Sequence, residues 1–230
     1  MSLDGQPGGS MAQQPGRLRP AVALPESARV VLATANEHKV RELRQILAET
    51  LAPHGEESLI SLRGLGITSP VEDGVTFAAN ALIKARHAAR VTGLPALADD
   101  SGLCVDVLGG APGVFSARWC GHHGDDAANL ELLLAQLADV PEHARAAHFE
   151  CAAVLVTSEG QEYVERGTVE GHLLFQPVGG GGFGYDPIFQ PAGYSRSMAE
   201  LTAQEKNAIS HRARAFSALK EELAAVLARG

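Results

Sequence analysis

Two adjacent carboxylates, Asp99 and Asp100, followed by Ser101 and Gly102, are the residues of this chain best suited to chemistry. They close a short apolar run, Leu94 to Ala98, that reads as a buried strand. Two negative charges side by side repel, and a bound cation relieves that repulsion. Mg²⁺ is the natural candidate, because it prefers oxygen ligands and is commonly held by one or two carboxylates plus substrate phosphates. Ser101 adds a hydroxyl, and Gly102 a backbone that a ligand can approach closely. The competing reading is a solvated turn, since turns favour Asp, Ser and Gly.

Other segments carry complementary groups. Thr34, Asn36 and Lys39 lie between a strand and a helix start, where free backbone N–H groups favour anions. The spacing is not that of a Walker A loop, and ordinary helix capping by Thr34 or Asn36 is the alternative. Glu72 precedes a second helix and offers a further metal oxygen or a favourable helix-dipole contact. Lys84, within that helix, is either a solvated lysine or a point charge for a phosphate. In the run Gly179 to Asp186, Phe183 or Tyr185 could stack on a flat base, with glycines letting the backbone come close; a mobile glycine loop with a core Phe is the alternative. His211 and Arg212 make a donor-rich edge where the last helix begins or is interrupted, and Thr202-x-x-Glu205 reads as a capping box ahead of them. His122 and His123 have no acids at metal-ligand spacing and read as loop surface.

The elements that must position these groups follow from periodicity. Strands are expected at Val30 to Ala33, Ser58 to Leu62, Leu94 to Ala98, Leu103 to Leu108, Phe149 to Thr157, Tyr163 to Glu170 and Asp186 to Phe189. The fifth and sixth of these are joined by a hairpin at Glu159-Gly160, and Pro187 points to an edge or end position for the last. Helices are expected over residues 37–48, 76–91 and 125–137, with a closing helix to about Leu227. Strands alternate with helices early and become antiparallel later, which predicts an α/β fold with a mixed sheet.

Composition narrows the partners. The 230 residues, 45% of them hydrophobic, suffice for one sizeable domain. The net charge of −8 argues against a nucleic-acid polymer but permits a small anion held by local lysines and a metal. No apolar run approaches the roughly 20 residues of a membrane span. The three cysteines lack Cys-x-x-Cys spacing, so neither a disulfide framework nor a zinc site is indicated, and they read as reduced thiols of a cytoplasmic protein. Residues 1–28, rich in Gly, Pro, Gln and Ser, read as a disordered extension preceding a domain over 29–230.

The order of the motifs is distinctive: Thr-x-Asn-x-x-Lys, Glu-Asp-Gly with Asn80 and Lys84, Ala-Asp-Asp-Ser-Gly-Leu, Gly-Ala-Pro-Gly-Val-Phe-Ser-Ala-Arg, Gly-Gly-Phe-Gly-Tyr-Asp-Pro-Ile-Phe, and Glu-Lys-Asn-Ala-Ile-Ser-His-Arg. From about Val30 to Leu227 the chain resembles the Ham1-like inosine/xanthosine triphosphate pyrophosphatases. The resemblance implies an elongated mixed sheet flanked by helices, two lobes with a central cleft, and a homodimer. It implies Mg²⁺-dependent hydrolysis of dITP, ITP and XTP to the monophosphate and pyrophosphate. By motif, Thr34, Asn36, Lys39 and Lys84 would hold the triphosphate. Glu72 and Asp100 would bind the metal, with Asp99 beside them, Asp100 also serving as general base and Ser101 as a substrate contact. Phe183, Gly184, Tyr185, Asp186, Lys206, His211 and Arg212 would hold the base. His and Arg donors suit the C6 carbonyl of hypoxanthine and xanthine, and adenine would leave them unpaired. Two other readings stand beside this one. A Maf-like pyrophosphatase shares the architecture but should lack the His-Arg motif. A non-catalytic nucleotide-binding module would tolerate loss of Asp99 or Asp100, yet both are present.

Overall fold

Six strands of the described residues join in one mixed sheet: β1 (Val30–Leu32), β2 (Leu59–Ser61), β3 (Ala96–Val105), β4 (Ala146–Val156), β5 (Glu162–Leu173) and β6 (Phe189–Pro191), in the order β2-β1-β3-β4-β5-β6. The computed structural model describes residues 22–34 and 36–229. β1 pairs in parallel with β2 and β3, and the remaining neighbours are antiparallel. Flanking the sheet are α1 (Glu37–Ile46), α2 (Ala48–Leu51), α3 (Phe77–Thr92), α4 (Asp126–Gln136), α5 (Ala203–Ile209), α6 (His211–Ala218) and α7 (Lys220–Leu227). This is the expected α/β arrangement.

Most of the expected disordered extension, residues 1–21, lies outside the described residues. Residues 22–28 are described: Ala28 is buried, and its N–H donates to Pro25 O at 3.0 Å.

Strand alternation divides the interior. Leu32, Leu97, Cys151, Ala153 and Leu155 point to one face and pack with Leu43 of α1, Leu47 just after it, Phe216 of α6 and Leu223 of α7. Val31, Ala96, Ala98 and Val154 point to the other, under Ala81, Ala85 and Ala88 of α3. A third core gathers the far ends of β3, β4 and β5 with Leu130 and Leu133 of α4, Tyr185, Phe189 and Met198. The cleft lies where these cores meet.

Three local expectations are corrected. The acidic pair does not form a turn between two strands: β3 runs unbroken through it, with Asp99 opposite Ala153, Asp100 opposite Ala152 and Ser101 opposite Cys151. Small partners on β4 leave room for both carboxylates, and the paired backbone outweighs the turn preference of Asp-Ser-Gly. Gly102 lines the cleft and also serves close packing, since a Cβ there would run into Gly113 O and come within 2.5 Å of Ser116 Oγ. The expected strand at Asp186 to Phe189 begins as a 3-10 turn, Asp186–Ile188, with Pro187 in its first turn, and becomes strand only at Phe189. The closing helix is three helices: Ser210 ends α5 and caps α6, accepting from Ala213 N at 3.1 Å, and Leu219 separates α6 from α7. That break puts His211 and Arg212 in the first turn of α6, both buried.

Candidate active site

The two carboxylates diverge because they are neighbours on a strand. Asp99 turns toward α1 and α6. Its side chain is 0% exposed, and its Oδ2 accepts from Lys39 Nζ at 3.0 Å and Arg212 Nε at 3.1 Å. Burial alone would raise its pKa, but Lys39 and Arg212 outweigh that and hold it far below the ordinary carboxylate range. Its Oδ1 is buried without a hydrogen-bond partner.

Asp100 turns toward α3. Its Oδ1 accepts from Lys84 Nζ at 3.2 Å and its Oδ2 from Asn80 Nδ2 at 3.1 Å. Lys84 Nζ also donates to Glu72 Oε2 at 2.9 Å, so both carboxylates converge on one ammonium. Burial raises the pKa of Asp100 and Glu72 repels its charge, which together exceed the pull of Lys84 and Lys39. Lys84 is itself buried, so the solvated-lysine alternative fails. Burial would lower its pKa, but Asp100 and Glu72 hold it raised and charged.

A cleft of about 330 Å³ lies over these groups. Every residue assigned to the site from the sequence lines it except Asp99, which stands behind it: Thr34, Asn36, Lys39, Glu72, Lys84, Asp100, Ser101, Phe183, Gly184, Tyr185, Asp186, Lys206, His211 and Arg212. Asn36 does cap α1, its Oδ1 accepting from His38 N at 2.9 Å and Lys39 N at 3.3 Å, while Thr34 Oγ1 accepts from Asn36 N at 3.2 Å.

At the opposite end, Phe183 and Tyr185 take different parts. Tyr185 is buried, and its hydroxyl donates to Ser116 O at 2.9 Å. Phe183 is half-buried, with Lys206 Nζ 4.7 Å and the Arg212 guanidinium 5.8 Å from its ring centre. Its loop is pinned twice: Asp186 Oδ2 accepts from Phe183 N at 2.8 Å, and Asp126 Oδ2 accepts from Gly184 N at 2.9 Å. His211 stacks on Phe149 at 4.9 Å and 11°. Burial first, then Arg212 and Lys206, push its pKa well below the usual histidine value, so the imidazole is neutral. Its Nδ1 is buried without a partner.

Glu42 was not foreseen, although it lies one turn after Lys39 on the same face of α1. It accepts from Lys206 Nζ at 2.9 Å and from Arg212 Nη1 at 2.5 Å. Lys206 in turn donates to Asp186 Oδ2 at 2.7 Å. Lys39, Asp99, Arg212, Glu42, Lys206 and Asp186 thus form one chain of paired charges, buried or half-buried, from the acidic pair to the glycine loop. Arg118, Asp126 and His123 also line the cleft. Asp126 and Arg118 lie in elements whose approach to the glycine loop no local pattern encodes.

The arrangement holds two carboxylates and lysines for a charged polyanion at one end and an aromatic platform at the other. Comparison with known proteins gives the chain's relatives. The Ham1 family model matches residues 30–222. The dITP/XTP pyrophosphatase of Streptomyces coelicolor is 59% identical over 192 residues, 83% of this chain and 94% of that protein. That of Leifsonia xyli subsp. xyli is 54% identical over 198 residues, 86% of this chain and 96% of the relative. Among solved structures, the nucleoside-triphosphatase/dITP/XTP pyrophosphatase of Mycobacterium abscessus superposes with a TM-score of 0.67 at 49% identity, covering 83% of this chain and 98% of the other. A HAM1 protein from Coxiella burnetii superposes with a TM-score of 0.74 at 40% identity, covering 88% and 100%.

Proposed function

Because this chain belongs to the Ham1 family, we propose that it hydrolyses non-standard purine nucleoside triphosphates, dITP, ITP and XTP, to the monophosphate and pyrophosphate. The convergence of Asp100, Glu72 and Lys84 at one end of a cleft that ends in Phe183 carries this reading.

The donor set fits Mg²⁺. Glu72 and Asp100 offer hard carboxylate oxygens, and the raised pKa of Asp100 beside Glu72 marks a place where a cation lowers the energy. When bound, Mg²⁺ would neutralise charge on the triphosphate and the departing pyrophosphate. Lys39 and Lys84 add positive charge where negative charge builds on the leaving oxygen. Asp100 is the general base for the attacking water, since it lines the cleft and its pKa is shifted toward neutrality. Asp99 is unsuited to that task, because its side chain is shut away from the cleft and its pKa is driven down. It acts as a positioning residue for Lys39 and Arg212.

Phe183 stacks on the purine, a contact of about 1–3 kcal/mol. Tyr185 supports the wall from behind. His211, neutral and with Nδ1 unpartnered, suits a hydrogen bond to the base edge. Arg212 already spends donors on Asp99, Glu42 and Ser101, so its main part is to fix the wall that His211 belongs to. A cytoplasmic homodimer, with residues 29–230 as the catalytic domain, completes the reading; free Cys104, Cys120 and Cys151 suit a reducing compartment, and analytical ultracentrifugation tests the dimer.

The deciding assay measures pyrophosphate release from dITP, XTP, dGTP, dATP and dTTP with Mg²⁺. Preference for dITP and XTP over dGTP is expected; equal rates would overturn the proposal.

A further inference from the structure

Further along the Asp100 face of the sheet, β3 and β4 place Cys104 opposite His148, and Glu150 follows two residues later on β4. Period-two alternation turns all three side chains to one side. A sulfur, an imidazole nitrogen and a carboxylate oxygen from them lie within 4.8 Å of one another. Cys104 is four residues beyond Asp100, on the order of 13 Å along the strand. This cluster is therefore separate from the acidic pair of the cleft.

We propose that Cys104, His148 and Glu150 form a second metal site, selective for Zn²⁺ or an ion of similar softness. The donor set decides the class of ion. Thiolate, imidazole and carboxylate together suit zinc, whereas Mg²⁺ and Ca²⁺ take oxygen. Bonds of about 2.0–2.3 Å would draw the three groups in by modest side-chain rotation. The surroundings favour a cation. Glu150 and Asp106 both bring negative charge to bear on the Cys104 sulfur. Asp106 Oδ1 lies 3.9 Å from His148 Nδ1, beyond hydrogen-bond distance, and adds negative charge beside the ring. The neighbouring positive group, Arg166, is mostly exposed and 3.6 Å from Glu150, too loose to neutralise the cluster.

Three protein ligands leave a fourth position open. Cys104 and Glu150 both border a surface groove of about 440 Å³, walled by residues 109–115, through which a water or small ligand could reach that position. Cys104 also bridges to Pro112, so the site lies beside the segment leading to Ser116, whose carbonyl accepts from the Tyr185 hydroxyl.

The full-length protein, freed of metal with a chelator and supplied with excess Mg²⁺, is titrated with Co²⁺ and then Zn²⁺. Release of a proton as Co²⁺ binds is expected, with a thiolate-to-cobalt charge-transfer band that saturates at one equivalent and is lost when Zn²⁺ displaces Co²⁺. Cys104→Ser should abolish the band, and His148→Ala or Glu150→Gln should weaken binding by about tenfold or more. Cys120→Ser should leave it intact; this control matters because Cys120 Sγ lies 3.8 Å from His122 Nδ1. Zn²⁺ should raise the melting temperature of the wild type and not of Cys104→Ser, while the metal-free melting of Glu150→Gln matches wild type. No band in the wild type, a band surviving Cys104→Ser, or one lost in Cys120→Ser overturns the site.

Discussion

Asp99 and Asp100 share a sequence context, yet their surroundings drive their pKa values apart, and the two make opposite predictions. Asp99 is charged, buried and paired with Lys39 and Arg212. Asp99→Asn should cost about 3–5 kcal/mol in urea denaturation, since it removes the buried charge that pairs Lys39 and Arg212. Its folded pKa lies far below its ordinary 3.8. The stability it contributes is therefore full above 3.8 and lost as pH falls, so the variant's stability should decline less steeply in acid than that of the wild type. Asp100 has the reverse sign. Its folded pKa is raised, so ionising it subtracts stability as pH rises. Asp100→Asn should cut turnover by about 10²–10⁴-fold while leaving stability at pH 7 equal or higher. Retained turnover removes Asp100 as base, and a large loss of stability contradicts the electrostatic account. Phe183→Ala should weaken substrate binding by about 1–3 kcal/mol, read as a rise in KM at near-constant kcat; an unchanged KM removes the stacking contact.

At the scale of elements, the cleft wall depends on how closely α6 lies on β5. Gly167 of β5 permits that approach: a Cβ there would collide with His211 O and come within 2.6 Å of Ala215 N. Gly167→Ala should cost about 1–3 kcal/mol by overpacking and, by lifting the first turn of α6, should impair dITP turnover though it touches no substrate. A variant that loses stability but keeps full activity would show that His211 and Arg212 do not depend on this packing. Ser210 sets the start of the same helix, and Ser210→Ala should cost about 1 kcal/mol for the lost cap, measurable as a shift in the denaturation midpoint. Regular periodicity announced α1, α3 and α4 within a residue or two, because each buries a long apolar stripe. The break at Ser210 was hinted at by a Ser ahead of two polar residues. β3 defied its own turn residues because pairing with β4 satisfies its backbone along the whole strand.

For the whole molecule, the catalytic unit we propose is residues 29–230. Deleting residues 1–21 should change neither melting temperature nor turnover. Deleting through residue 28 should lower the melting temperature modestly while sparing activity, because Ala28 is buried but does not line the cleft; a fall in turnover for the shorter deletion would contradict that division. The amino-acid sequence alone determined the fold class and the family, and it named Glu72, Asp100, the three lysines, Phe183 and Tyr185 among the residues that line the cleft, since each follows from local periodicity or from motifs a few residues long. Only the tertiary structure decided which aspartate faces the cleft, that Tyr185 supports while Phe183 is left to stack, and that Glu42 joins Lys206 and Arg212 across the molecule. It alone set Cys104 beside His148, more than forty residues away in the chain. The physical reason is the same in each case. Burial and charge pairing depend on which strand or helix a side chain is brought against, and that is a property of long-range packing that no short window of sequence contains.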